Sequence, residues 1–282
     1  MRILLILSLI FMTNHLAAQP FAAFDKASAP ELNDPHDLTI GPDGRLYVAD
    51  KFGDRIVVMD AVSLEILSTF GEGLLFGVHD ISFGPDGMAY VAATGANSVY
   101  VFDLSGPDPK LFDVIPGAIR VEGLLAHSNG RVYIMASGIG ELVAFENGAA
   151  VAGVRGLFGA HDVVEALDGT IWLADNERAQ LVHFDTDLKV IGVLNDPKFG
   201  LIGPRYLDVD DFGRLVVADQ DAHRILLIDP ETETLLGVLG DGLPGMGVNK
   251  FDDPEGAAVH GSVYYFADSD NNRIVRYVVL VN

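Results

Sequence analysis

Three histidines in this chain are each followed by an aspartate: His36-Asp37, His79-Asp80 and His161-Asp162. The settings "PHDLTI", "VHDISF" and "AHDVVE" put each pair at the head of a short apolar run. A Gly-containing turn and a second apolar run follow. Neutral imidazole is the commonest side-chain metal ligand, and a nearby carboxylate can join the coordination or orient the ring. Brought together, such pairs could hold zinc, whereas carboxylates and carbonyls alone would suit calcium.

What brings them together is a repeat. Six copies of one pattern begin at Pro35, Val78, Val121, Ala160, Pro204 and Pro254, spaced 43, 43, 39, 44 and 50 residues apart. Each holds several short runs of period two, rich in Val, Ile, Tyr and Phe, the residues that favour strands. Turns such as "GPDG" at 41 and 84 carry Gly, which permits the positive φ of tight hairpins. Four-stranded units of this period are propeller blades. The fold class is therefore all-β, a six-bladed β-propeller with four-stranded antiparallel blades. The last copy has only three strands, and "FAAFDKA" (21–27) is expected to supply its outer strand and close the ring.

The innermost strand of each blade runs beside the axis, so equivalent residues form rings. The first ring is His36, His79, Glu122, His161, Arg205 and Glu255. The second is Asp37, Asp80, Gly123, Asp162, Tyr206 and Gly256. The loops between second and third strands fall on the same face and add a wall of acids: Asp50, Asp54, Asp175, Glu177, Asp219, Asp221, Asp268 and Asp270. Alternate blades point inward 120° apart, so His79, His161 and Glu255 make the expected metal triad. His36 and Glu122 are the further ligands available. Asp80 and Asp162 serve as supporting partners or calcium ligands. Zinc is the expected ion and calcium the alternative. Arg205 reads as a clamp for a substrate carboxylate or as a salt bridge to Glu122, Glu255 or Asp208. Tyr206 reads as a proton donor or a packing residue. His127, His183, His223 and His260 have no partners in register and read as structural, Trp172 reads as core, and "DSDNN" (268–272) reads as a solvated turn.

The stretches "GPDGRLYVADKFGDRIVVMD", "VVADQDAHRILLID" and "YYFADSDNNRIVRY" resemble NHL repeats. Within that group the His-Asp starts are most similar to the peptidyl-α-hydroxyglycine amidating lyases. That resemblance implies a zinc held by histidines of alternate blades, with calcium bound in part by the Asp after a zinc His. Streptogramin-lyase and gluconolactonase-type propellers are more distant in look and imply one divalent metal on the axis. Here Glu255 replaces the third zinc His. Phe52 and Ala222 fill loops where the amidating lyases carry a catalytic Tyr.

Composition bounds the function. Over 282 residues the formal net charge is −22. That disfavours nucleic acid and anionic membranes as partners. Met1-Arg2, the apolar run 3–12 and "TNHLAA" read as a signal peptide over 1–18, cleaved after Ala18. Its loss removes Arg2 and no acid, taking −22 to −23. The remaining domain, 19–282, is expected in the periplasm or the medium, as a monomer. The expected function is a metal-dependent lyase or hydrolase acting on a small anionic or peptide-like substrate. The alternative is a non-catalytic propeller that binds a ligand or protein on its acidic face.

Overall fold

The six innermost strands lie where the repeat puts them: Pro35–Ile40, Val78–Phe83, Val121–Ala126, Ala160–Glu165, Pro204–Val209 and Pro254–His260. This is a computed structural model that describes residues 20–279; the segment read as a signal peptide lies outside the described residues. Each innermost strand heads a four-stranded antiparallel sheet whose members follow in chain order, with one exception. The sixth blade has three consecutive strands, and its outer strand is Ala22–Ala27 from the other end of the chain. Ala22 pairs with Val279 and Ala27 with Val275, a clasp that closes the ring.

The core is divided among the gaps between blades. Tyr47, Ile56, Phe70 and Leu75 of the first blade pack with Ile81, Val91 and Phe102 of the second. Leu38, Val48 and Ile274 join the first blade to the sixth. Burial of these side chains is what orders the sheets, since strands of five to seven residues are marginal alone. The axis is left to polar residues.

The repeated Tyr-Val-Ala-Asp…Arg-Ile signature has a local cause. The second strand ends in a fully buried Asp in four blades: Asp50, Asp175, Asp219 and Asp268. Asp50 accepts from Arg55 at 2.7 Å, Asp219 from Arg224 at 2.9 Å and Asp268 from Arg273 at 2.7 Å. Asp175 accepts from Arg178 at 3.0 Å. One 3₁₀ turn separates the partners in three of these blades and ends in a left-handed residue: Asp54, His223 or Asn272. Those residue types tolerate positive φ. The four buried acids fasten loops to blades, which corrects their reading as part of the site wall. Glu177, Asp221 and Asp270 remain exposed there, and Asp54 accepts from the Gly77 N–H at 2.7 Å.

Candidate axial site

All six innermost strands slip register at the ring residues, between Pro35 and Leu38 in the first blade and at the equivalent place in every other. A bulge releases residues from the ladder and re-aims their side chains. Here it turns the His, Glu and Arg side chains to the axis at one level.

The three ring histidines are buried and held alike. His36 Nδ1 meets the Asp34 carbonyl at 3.3 Å, His79 Nδ1 the Gly77 carbonyl at 2.9 Å and His161 Nδ1 the Gly159 carbonyl at 3.0 Å. A ring nitrogen facing a carbonyl oxygen carries the proton, so Nε2 presents a lone pair whenever the ring is neutral. Burial first and the Lys51 charge second hold His36 well below its usual range. Burial and then His36 push His79 down to about 3. His36 and His79 meet edge to face, with centroids 4.6 Å apart.

The carboxylates answer these lone pairs in an order that strict alternation does not foresee. Glu255 Oε2 lies 2.8 Å from His36 Nε2. Glu122 Oε2 lies 3.0 Å from His161 Nε2, and its Oε1 lies 3.9 Å from His79 Nε2. Each Glu thus meets the His of the next blade. The cause is the glycine that follows it. A Cβ on Gly256 would stand 2.2 Å from the His36 carbonyl oxygen, and one on Gly123 would stand 2.0 Å from that of His161. Only glycine lets blade six approach blade one, and blade three approach blade four, this closely. Among the described residues the one cluster whose ligand atoms all lie within 4.8 Å of one another is Asp34, His36 and Glu255. The expected grouping of His79, His161 and Glu255 does not meet that test. Glu255 turns to its neighbouring blade instead of toward the alternate ones.

Burial first raises Glu255, with Arg205 and Lys51 opposing. Burial also works against the Glu122 charge, but His161, His79 and Arg120 outweigh it and hold that carboxyl below its usual range. Arg120 bonds Glu122 at 2.8 Å from the rim. Arg205 Nε stands 3.6 Å from Glu255 Oε2 and makes no hydrogen bond, which matches the salt-bridge alternative more closely than a free clamp. Tyr206 is fully buried and donates its hydroxyl to the His79 carbonyl at 3.1 Å, as a packing residue would. Burial and then the neighbouring acids raise it well above its usual range.

The second ring lies beneath. Asp80 accepts from the Leu124 N–H of the next blade, and Asp162 accepts from the Leu207 N–H at 2.8 Å. Asp37 contacts the Ile81 N–H at 3.5 Å, and Asp208, two positions beyond the ring residue Tyr206, accepts from Val259 at 2.6 Å. These acids sew successive blades together and line a cavity of about 80 Å³ under the histidines. Burial raises all four; Asp162 and Asp208 reach about 7. Sequence reasoning missed Asp34. Its signal was a non-glycine residue at positive φ immediately before a strand, which a sequence does not display. Of the histidines outside the ring, His183 stacks on Trp172 at 4.1 Å and His127 meets the Gly169 carbonyl at 3.0 Å, both in structural settings.

The comparisons agree with this architecture. Residues 32–59 match the NHL repeat model. No characterised protein matches the chain by sequence. Among solved structures, virginiamycin B lyase from Staphylococcus aureus is similar at a TM-score of 0.64 and 12% identity, covering 90% of this chain and 99% of that one. A streptogramin B lyase is similar at 0.63 and 14%, covering 93% and 87%. Hydrazine synthase from Kuenenia stuttgartiensis is similar at 0.66 and 14%, covering 90% and 98%. Enzymes of different chemistry share this ring, so the likeness speaks for fold alone. The chain is a six-bladed β-propeller with an NHL repeat in its first blade, similar in fold to the streptogramin B lyases.

Proposed function

We propose that the axial ring binds a divalent cation and that the protein is an exported, metal-dependent lyase or hydrolase of a small carbonyl compound. One observation carries this reading. His36 Nε2, Glu255 Oε2 and Glu122 Oε2 are buried without hydrogen-bond partners, although His36 and Glu255 stand 2.8 Å apart. A carboxylate oxygen facing an imidazole lone pair is costly to bury unless a positive charge lies against both. Asp34, His36 and Glu255 would hold the cation, and zinc is the first choice, because imidazole and carboxylate both suit it. A bound divalent ion supplies Lewis acidity toward a carbonyl oxygen. The chain's own residues do the rest. The Asp34, Gly77 and Gly159 carbonyls fix the three rings, and Arg205 balances Glu255.

The second reading, a non-catalytic propeller, rests on the same distances. A proton on Nε2 would turn both His–Glu contacts into ion pairs that merely close the ring. Metal analysis of the purified domain separates the two. We expect about one zinc per chain, lost in His36→Ala and in Glu255→Gln but kept in His127→Ala. A metal-free protein whose melting does not respond to added zinc, manganese or calcium would favour the second reading. Export rests on residues 1–18, and N-terminal sequencing of the secreted product near Gln19 tests it.

A further inference from the structure

The residue two places before each innermost strand occupies one position in all six blades. In blade order it is Asn33, Phe76, Ile119, Phe158, Ile202 and Asp252. The preceding residue is buried in five of the six blades, as Leu32, Leu75, Ala118, Leu157 and Phe251, so the chain alternates and turns this one outward. Four consecutive blades therefore present a large apolar side chain to solvent: Phe76 is 51% exposed, Ile119 48%, Phe158 62% and Ile202 55%. Each stands three or fewer residues from the ring, at the mouth above the histidines. Glycines underlie three of them. A Cβ on Gly95 would press on Phe76, one on Gly138 on Ile119 and one on Gly140 on the Phe158 ring. The loops of blades two and three that carry these glycines, 94–97 and 137–140, hold no charge.

Exposed Glu177 and Asp221 flank Phe158 and Ile202 in the loops of blades four and five, and the acids are densest on the remaining third of the mouth. Blades six and one carry Asp34, Asp252, Asp253 and Asp270. Lys51 answers Asp34 at 3.0 Å, whereas His223 Nδ1 accepts from the Asp253 N–H at 3.1 Å. Among the described residues exposed Asp270 has no ion-pair partner. Contiguous exposed apolar surface at the mouth of a polar site marks a binding face, and excess acid sets the charge of what binds there. We infer that the substrate or ligand of this face is an amphipathic cation: an apolar body lying on the arc of blades two to five, with an amine directed at the acids of blades six and one. This rests on the proposal that the ring face is the substrate face. It departs from the anionic substrate that Arg205 suggested, because Arg205 already faces Glu255.

Calorimetric titration with phenylalanyl-phenylalaninamide, which carries one amine, and with its neutral N-acetyl form tests this. A chelator is present, so failure of the metal proposal leaves the experiment readable. The amine should bind at least about fivefold tighter than the acetylated form. Phe76→Ser with Phe158→Ser should weaken both about tenfold, a change of about 1.4 kcal/mol by RT ln 10. Asp270→Asn should narrow the gap between the two probes. Phe112→Ser, still more exposed but on an outer strand, should change nothing. The inference is overturned if neither probe binds at millimolar concentration, if the neutral form binds as tightly, or if Phe112→Ser weakens binding as much as the mouth variants. All these side chains are exposed, so thermal melts should match the parent.

Discussion

His36 Nε2 and Glu255 Oε2 face each other at 2.8 Å across the junction of the first and last blades, and His161 and Glu122 repeat that relationship at 3.0 Å between the third and fourth. The axis therefore has an approximate two-fold pattern inside a six-fold ring. Each Glu has a His in the following blade and a basic residue in the preceding one: Arg205 before Glu255, His79 before Glu122. Arg205 and His79 are where the two halves differ.

That pattern predicts which residues couple. In a double-mutant cycle, Glu255→Gln with His36→Ala should show an interaction of about 1 kcal/mol or more, and Glu255→Gln with His161→Ala clearly less. Chemical unfolding of the four proteins in chelator measures it. Equal coupling for both pairs would mean that the ring acts as one pool of charge.

Close approach of the blades should be intolerant of a single methyl group. Gly256→Ala places a carbon against the His36 carbonyl, which belongs to backbone and cannot swing away. We expect a loss of about 3 kcal/mol or more, together with loss of metal. Gly106→Ala, where a Cβ would find its nearest neighbour at 3.8 Å, is the control and should stay within about 0.5 kcal/mol. Parity of the two variants in thermal melting would refute the packing argument.

Asp208 should make stability fall as pH rises. Burial lifts its folded value to about 7 against an ordinary 3.8. Between about pH 4 and 7 the folded chain keeps a proton that the unfolded chain has released, so stability drops through that window and is level above it. Buried neutral histidines contribute the opposite slope, and the comparison with Asp208→Asn cancels them. The stability of the parent minus that of Asp208→Asn should decline on the order of 3 kcal/mol from pH 4.5 to 7.5. A pH-independent difference would place the carboxyl's folded value near normal.

Removal of residues 20–29 should lower the melting temperature of the entire domain in one transition, because the last blade would lose its outer strand and Phe21 and Phe24 would leave Tyr264 and Tyr277 uncovered. A synthetic peptide of residues 20–30 added in excess should restore part of the loss by strand addition. An unchanged melt would show that the clasp contributes nothing.

The architecture was legible because each level of the sequence pointed the same way. Strand period, Gly turns and the Asp…Arg pair recur in register, and "FAAFDKA" had to go where a strand was missing. The ring residues were legible for the same reason. Their partners were not. Glu255 was assigned to alternate blades on the geometry of a perfect hexagon. The bulge and the contact of Gly256 with His36 bring two blades closer than that geometry allows, and such contacts belong to the tertiary structure. Asp50 and Asp268 look the same in sequence as Asp54 and Asp270, and only burial separates a loop fastener from a surface acid.

The strand Ala22–Ala27 is made first among the described strands and finds its partner last. Arg273–Val279 emerges only after nearly all of the described chain. The ring therefore cannot close on a growing chain, and His36 cannot meet Glu255 until it does. The axial site is thus assembled after synthesis of the described chain is all but complete, and not during it.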